Sequence, residues 1–242
     1  MERVKTRAIV ARRADYSESN CMLTLFAEGL GVISASVYGI KSNKSRMRAC
    51  CQLLCFAEFV LIKGKGDIYR AESAEIIETF YPISEDVKKL ALAGYFLEVI
   101  GDSFSAEDPQ SLTLLLNTLY ALSYKDIDCA VAKAVFELKI MQYSGYEPNL
   151  ETCIRCGKAE KLISFDFVGG TLCRDCSTHF AAGLLPDVKE AMRYILKSDI
   201  KRLFSFILPE PAKASLSEIC EKYILSKSEK HYKSLEYYKK IM

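Results

Sequence analysis

The amino-acid sequence predicts an α+β multidomain protein: a small N-terminal β-barrel, then an α-helical domain with an inserted four-cysteine module. Three observations predict it. Residues 6–80 hold five short β-type segments punctuated by glycine. From Ser84 the apolar spacing becomes helical. Cys153, Cys156, Cys173 and Cys176 form two Cys-x2-Cys pairs. The chain has 242 residues, half of them apolar, enough for a core in each part.

In the barrel region, residues 6–11 are rich in β-branched and small side chains, and Cys21-Met22-Leu23-Thr24-Leu25-Phe26 is a compact apolar run. Residues 31–38, 56–63 and 68–77 complete the set, with Gly29, Gly31, Gly39, Gly64 and Gly66 at the turns. Five short strands in so few residues suit a small closed barrel.

The helical region opens at Ser84-Glu85-Asp86, which predicts a side-chain cap and first-turn carboxylates. Leu90, Ala93, Leu97 and Ile100 follow at helical spacing. Asp108-Pro109 starts a second helix with the stripe Leu112, Leu115, Leu119 and Leu122. A third carries Ile127, Val131, Val135, Leu138 and Met141, and stops near Gly145 and Pro148. After the cysteines, residues 187–197, 199–207 and 212–226 read as helices, and residues 227–242 form a tail rich in lysine and tyrosine. The expected divisions are 1–81 for the barrel, 82–149 with 180–242 for the helical domain, and 150–179 for the cysteine module.

Two residues between paired cysteines let a tight turn aim both sulfurs at one metal, and Gly157 suits such a turn. Two such knuckles complete a tetrahedral thiolate site for Zn2+. Four sulfurs leave no open coordination position, so the metal is expected to be structural. An iron–sulfur cluster or four unliganded thiols are the other readings of this spacing. His179 stands close by as a bystander. The remaining cysteines (Cys21, Cys50, Cys51, Cys55, Cys129 and Cys220) have no ligand spacing and read mostly as small core residues.

Charge is unevenly spread. Residues 1–70 hold 12 Lys/Arg and 6 Asp/Glu, residues 71–180 hold 9 and 17, and residues 181–242 hold 12 and 8. A basic first module beside an acidic middle points to separate roles, the first facing a polyanion. The basic segment Lys41-Ser42-Asn43-Lys44-Ser45-Arg46-Met47-Arg48 contains no acid. Arg12, Arg13, Lys63 and Lys65 are candidates to extend it, with the cations meeting phosphates. A solvated loop is the alternative. Tyr16 and Tyr38 lie near these segments as candidate base-stacking residues; taken singly, each reads as a buried or edge tyrosine.

Catalytic signatures are lacking: the sequence has neither a Gly-x4-Gly-Lys-Ser/Thr loop nor a Gly-x-Gly-x-x-Gly run. Glu85-Asp86 and Glu107-Asp108 are explained as helix starts. The first residues, Met1-Glu2-Arg3-Val4-Lys5, do not begin an apolar signal stretch, and no apolar run reaches the roughly 18 residues of a span. A cytoplasmic, non-membrane protein is expected.

The order of modules and several motifs resemble the bacterial RecO family of recombination mediators over nearly the whole chain. The residues are Ala8-Ile9-Val10-Ala11-Arg12-Arg13-Ala14-Asp15-Tyr16-Ser17-Glu18, then Leu23-Thr24-Leu25-Phe26-Ala27-Glu28 with Gly31. Gly39 with the basic segment, Ala71-Glu72-Ser73-Ala74-Glu75, and the cysteine pairs flanking Gly169-Gly170 continue the likeness. Two positions depart: Tyr38 where the family commonly has lysine, and Cys51-Gln52-Leu53-Leu54 for a Leu-Gln-Pro-Phe segment. The resemblance implies an oligonucleotide/oligosaccharide-binding (OB) fold and a nucleoid-associated, non-enzymatic DNA repair function. It implies binding of single- and double-stranded DNA and annealing of complementary strands. It also implies work with RecR to load the recombinase RecA onto strands coated by single-strand-binding protein, whose acidic C-terminal tail the helical region would capture. The competing expectations are a nuclease or nucleic-acid-modifying enzyme with structural zinc, and a protein-only adaptor using the acidic middle region.

Overall fold

The computed structural model describes residues 2–40, 47–64, 66, 68–101, 104–228 and 230–242. It divides into two compact units, one of residues 1–86 with 96–112, the other of residues 87–95 with 113–242.

The first unit is built on five strands: β1 (Arg3–Asp15), β2 (Cys21–Ala27), β3 (Gly31–Val37), β4 (Phe56–Lys63) and β5 (Ile68–Glu78). They close into a barrel in the order β1-β2-β3-β5-β4. All neighbours are antiparallel except β3 and β5, which run parallel over Ser34–Ser36 and Ile68–Arg70. This is the strand order of an OB barrel. Ala8, Val10, Leu23, Leu25, Ile33, Ala35, Val37, Phe59 and Leu61 point inward and fill it. A register shift between Val10 and Arg12 bends β1, which pairs with β4 in its first half and with β2 in its second. Gly31 has φ 73°, and a Cβ there would sit 3.0 Å from the Ala106 amide nitrogen, so the β2–β3 turn requires glycine.

A single turn, α1 (Met47–Cys50), leads into buried Cys51, Leu54 and Cys55. Burial pushes the Cys51 and Cys55 thiols up to about 12, which makes them inert core groups. Cys21, Cys50 and Cys220 are buried as well, and Cys129 is half-buried.

The first helical segment begins differently from the sequence expectation. Pro82 seeds one turn, α2 (Tyr81–Ser84), and the Ser84 hydroxyl donates back to the Tyr81 carbonyl at 2.7 Å. Ser84 thus closes that turn, and α3 (Val87–Gly101) starts three residues later.

The second unit packs α4 (Pro109–Tyr124), α5 (Cys129–Tyr143), α6 (Pro186–Lys197), α7 (Glu210–Ser228) and α8 (Lys233–Ile241). Asp108 Oδ1 accepts from the Gln110 and Ser111 amides at the start of α4. Asp128 does the same for Ala130 and Val131 at α5. The helix expected over residues 199–207 is one 3-10 turn, Ile200–Arg202, followed by irregular chain. Asp199 makes no side-chain cap there, Tyr194 donates its hydroxyl to the Arg202 carbonyl, and Phe206 packs on the Tyr194 ring. Side chains of α6 thereby take the contacts that another turn of helix would need.

From Val131 to Met141, α5 is buried on every side, including Lys133 and Glu137. Lys133 Nζ lies 3.1 Å from Glu137 and 2.9 Å from Glu221, Tyr95 donates to Glu137 at 2.8 Å, and Lys239 pairs with Glu221. The network ties α3, α5, α7 and α8 together. Burial raises the Glu137 carboxyl, to about 7, although Lys133 and Tyr95 pull it down. Glu221 is also burdened by burial, yet Lys133 and Lys239 hold it low. A raised carboxyl binds its proton more tightly in the folded state, so its contribution is present below the unfolded value and is lost as pH rises through the folded one. Glu137→Gln is therefore expected to remove a decline in stability between pH 4.5 and about 7, read from urea midpoints. An unchanged pH profile would contradict the assignment.

Candidate metal module and nucleic-acid interface

The cysteine module is a three-stranded sheet, β6 (Leu162–Asp166), β7 (Gly170–Cys173) and β8 (Ala182–Gly183), in the order β7-β6-β8. β6 ends at Asp166, and Phe167 to Gly169 make the turn to β7. Two knuckles face each other at one end. The Gly157 amide donates to the Cys153 carbonyl at 2.9 Å, and the Cys176 and Ser177 amides donate to Cys173 at 3.1 and 2.9 Å. Gly170 lets Asn149 cross close by: a Cβ there would lie 2.4 Å from the Asn149 carbonyl oxygen.

All four sulfurs lie within 4.8 Å of one another, and Cys156 and Cys173 are 3.6 Å apart. Four thiolates at about 2.3 Å from a zinc ion stand about 3.8 Å from each other, so the donor set has the size and chemistry of a tetrahedral thiolate site. Among themselves the thiols ionise unequally. Burial opposes ionisation of Cys153, but the amides of Cys173, Cys156 and Arg155 pull it down to about 6. Contacts with Cys156 and Cys173 push Cys176 up to about 12. Binding of a metal ion by the four sulfurs would release their protons. His179 lies outside the cluster, stacked on Phe180.

The module's own core consists of Cys153, Leu172 and Cys173, with Ile154, Leu162, Cys176 and Ala181 against it. Its other attachments run to α6 and α7. Phe165 packs edge-on to Tyr223, Ser226 donates to the Phe167 carbonyl, Lys227 donates to the Val168 carbonyl, and Arg193 pairs with Glu151.

On the barrel, the basic residues separate into two groups. Arg3 pairs with Glu72, Lys5 with Glu58 and Arg7 with Glu28, so the first half of β1 is neutralised. Arg13 is held by Asp15 at 2.9 Å. Arg12, Arg48, Lys63 and Arg70 are exposed and make no ion pair among the described residues. Lys41, Lys44, Arg46 and Lys65 lie outside the described residues.

Strand register shows which of these share a surface. Arg12, Thr24, Ser34 and Ile68 stand side by side across β1, β2, β3 and β5; Ala14, Met22, Ser36 and Arg70 form the next row. Arg12 and Arg70 therefore flank a smooth face of small and flexible side chains on β2 and β3. In OB barrels this face, with the β1–β2 and β4–β5 loops, takes oligonucleotides. Beside Arg12 a hollow of about 630 Å³ is lined by Ala11, Arg12, Arg13, Asp15, Gln52 and Leu53. Gln52 donates to the Arg48 carbonyl, which brings the α1 turn to the same end. Lys63 lies on the Arg70 side: it pairs with Tyr69 at the end of β4, beside the Ile62–Arg70 pair, and its amide donates to the Glu2 carbonyl. Arg70 was missed in the sequence because its partners on this face, Ser36 and Met22, are remote along the chain.

Among the described residues no helix is long and apolar enough to cross a membrane. Fold and site together define an OB-barrel protein with a helical unit and a four-thiolate module. The sequence matches the family described as Recombination protein O N terminal over residues 1–80, and Recombination protein O C terminal over residues 84–236. It is 34% identical to DNA repair protein RecO of Acetivibrio thermocellus, over 99% of this chain and 97% of the relative. The protein of the same name from Alkaliphilus metalliredigens is 31% identical over 98% and 99% of the two chains. That from Caldicellulosiruptor bescii is 30% identical over 99% of each. The chain belongs to the RecO family, and so stands among DNA repair proteins that mediate recombination.

The donor set predicts one divalent metal ion per chain by elemental analysis. Cys153→Ser or Cys173→Ser is expected to lose it and to lower the thermal midpoint; purified wild-type protein without metal would overturn the site.

Proposed function

We propose that the protein is a non-catalytic recombination mediator that binds single- and double-stranded DNA through its OB barrel and anneals complementary strands. The observation that carries this reading is the β2–β3 face flanked by Arg12 and Arg70, which make no ion pair among the described residues, beside the turn bearing Arg48. Annealing needs two phosphate backbones screened and aligned, and cations on a smooth face supply that without a nucleophile. Lys41, Lys44, Arg46 and Lys65 extend the phosphate-binding set, and Lys63 contacts DNA on the Arg70 side of the face. Arg13, already held by Asp15, contributes less charge than Arg12.

The metal is zinc, bound by Cys153, Cys156, Cys173 and Cys176. Its role is to complete a module whose apolar core is small, and thereby to anchor β6–β7 on α7. Within the cell, a cytoplasmic, nucleoid-associated protein would act with RecR to load RecA onto strands coated by single-strand-binding protein. The family membership supports these partners and the capture of that protein's acidic tail.

Binding of single-stranded DNA is expected to weaken steeply with salt. Arg12→Ala and Arg70→Ala should each weaken it several-fold and reduce the log–log salt slope by about 0.7. Arg7→Ala, which removes an already neutralised cation, should leave the slope unchanged. Reversing Lys41, Lys44, Arg46 and Arg48 to Glu should nearly abolish binding. Equal slopes for Arg12→Ala and wild type would remove this face from the interface.

A further inference from the structure

Tyr16 and Tyr38 are both exposed, 52% and 58%, at one end of the barrel. They leave the sheet at the same level. Asp15 pairs with Cys21 and Cys21 with Val37, so only the start of β2 lies between the residues that precede them. The local backbone is fastened. The Tyr16 amide donates to the Asn20 carbonyl at 3.3 Å, Asn20 Oδ1 accepts from the Gly39 amide at 3.2 Å, and the Ile40 amide donates to the Ser19 carbonyl at 2.8 Å. These contacts hold the roots of both rings.

The position is as informative as the exposure. Tyr16 begins the β1–β2 loop, one of the nucleic-acid-contacting loops of an OB barrel. Tyr38 precedes the basic segment of residues 41–48 by two residues. Phosphates alone call for no exposed aromatic; a ring pair beside cations matches a strand whose bases are unstacked and free to lie on it. In a duplex the base faces are covered by their neighbours, so only the phosphates remain to be contacted.

We propose that Tyr16 and Tyr38 form a base-stacking platform at the root of the basic segment, which makes the barrel favour unpaired nucleotides over duplex. The proposal rests on the DNA-binding reading above and adds a source of strand preference that charge does not supply. An annealing protein needs such a bias: it holds single strands and loosens its grip once the bases have paired.

The test uses the full-length protein and two probes of equal length and charge, an oligodeoxythymidylate of about 16 nucleotides and the matching abasic oligomer. Fluorescence anisotropy at fixed salt gives both affinities. The platform predicts that wild type binds the base-bearing strand at least about tenfold more tightly. The Tyr16→Ala/Tyr38→Ala double variant should lose that preference while keeping its affinity for the abasic oligomer, and Tyr16→Phe/Tyr38→Phe should retain it. Equal wild-type affinity for the two probes, or a preference that survives the double alanine variant, overturns the platform and leaves the DNA-binding reading standing. Binding of neither probe overturns both.

Discussion

Ser34 with Ile68, Ala35 with Tyr69 and Ser36 with Arg70 are the three parallel pairs that close the barrel. Every feature of the candidate interface depends on this short seam. It brings β5 beside β3, and so sets Arg70 on the face that Arg12 borders from β1. It also completes the enclosure of Leu23, Leu25, Ile33, Phe59 and Leu61, whose burial supplies the main driving force for the first unit. A slip of one residue along the seam would turn Arg70 to the other side of β5 and bring a core residue outward.

In the cysteine module the corresponding constraint is the convergence of four sulfurs. Its small apolar cluster includes two of the four converging cysteines, Cys153 and Cys173. A sheet this small gains little from burial alone, and on the proposed reading a metal ion, with the contacts to α7, takes the place of a core. The helical unit shows the opposite economy: α5 is surrounded by protein, and its two buried charges are matched by Tyr95, Glu221 and, through Glu221, Lys239. Removing one member of such a group leaves another charge buried without its partner, so the network favours one arrangement of four helices.

The local features were legible in the sequence. Cys-x2-Cys spacing identified all four sulfurs that come together, because two residues fix the geometry of each knuckle. Glycine-bounded apolar runs gave the five barrel strands, and Asp108 marks a helix start as capping chemistry requires; Ile127, expected in the third helix, lies outside it, because Asp128 caps α5 at Cys129. What escaped was tertiary. Nothing near Arg3, Lys5 or Arg7 indicates that Glu72, Glu58 and Glu28 neutralise them. Nothing near Arg70 points to β3. Ser84 has the composition of a helix cap, but Pro82 draws it into an earlier turn. Residues 199–207 have helical composition, yet Tyr194 and Phe206 settle them as irregular chain.

Among the described residues, Arg12 and Arg70 make no ion pair and border the face where β2 and β3 are smooth. On the proposed reading, a surface of this kind brings strands together without cutting or rejoining them. The most direct measurement is the annealing rate of two complementary labelled oligonucleotides with the purified protein, without nucleotide triphosphate or magnesium. The account predicts faster annealing that falls with salt and leaves both strands intact. No acceleration at low salt, or shortened strands on a denaturing gel, would contradict it.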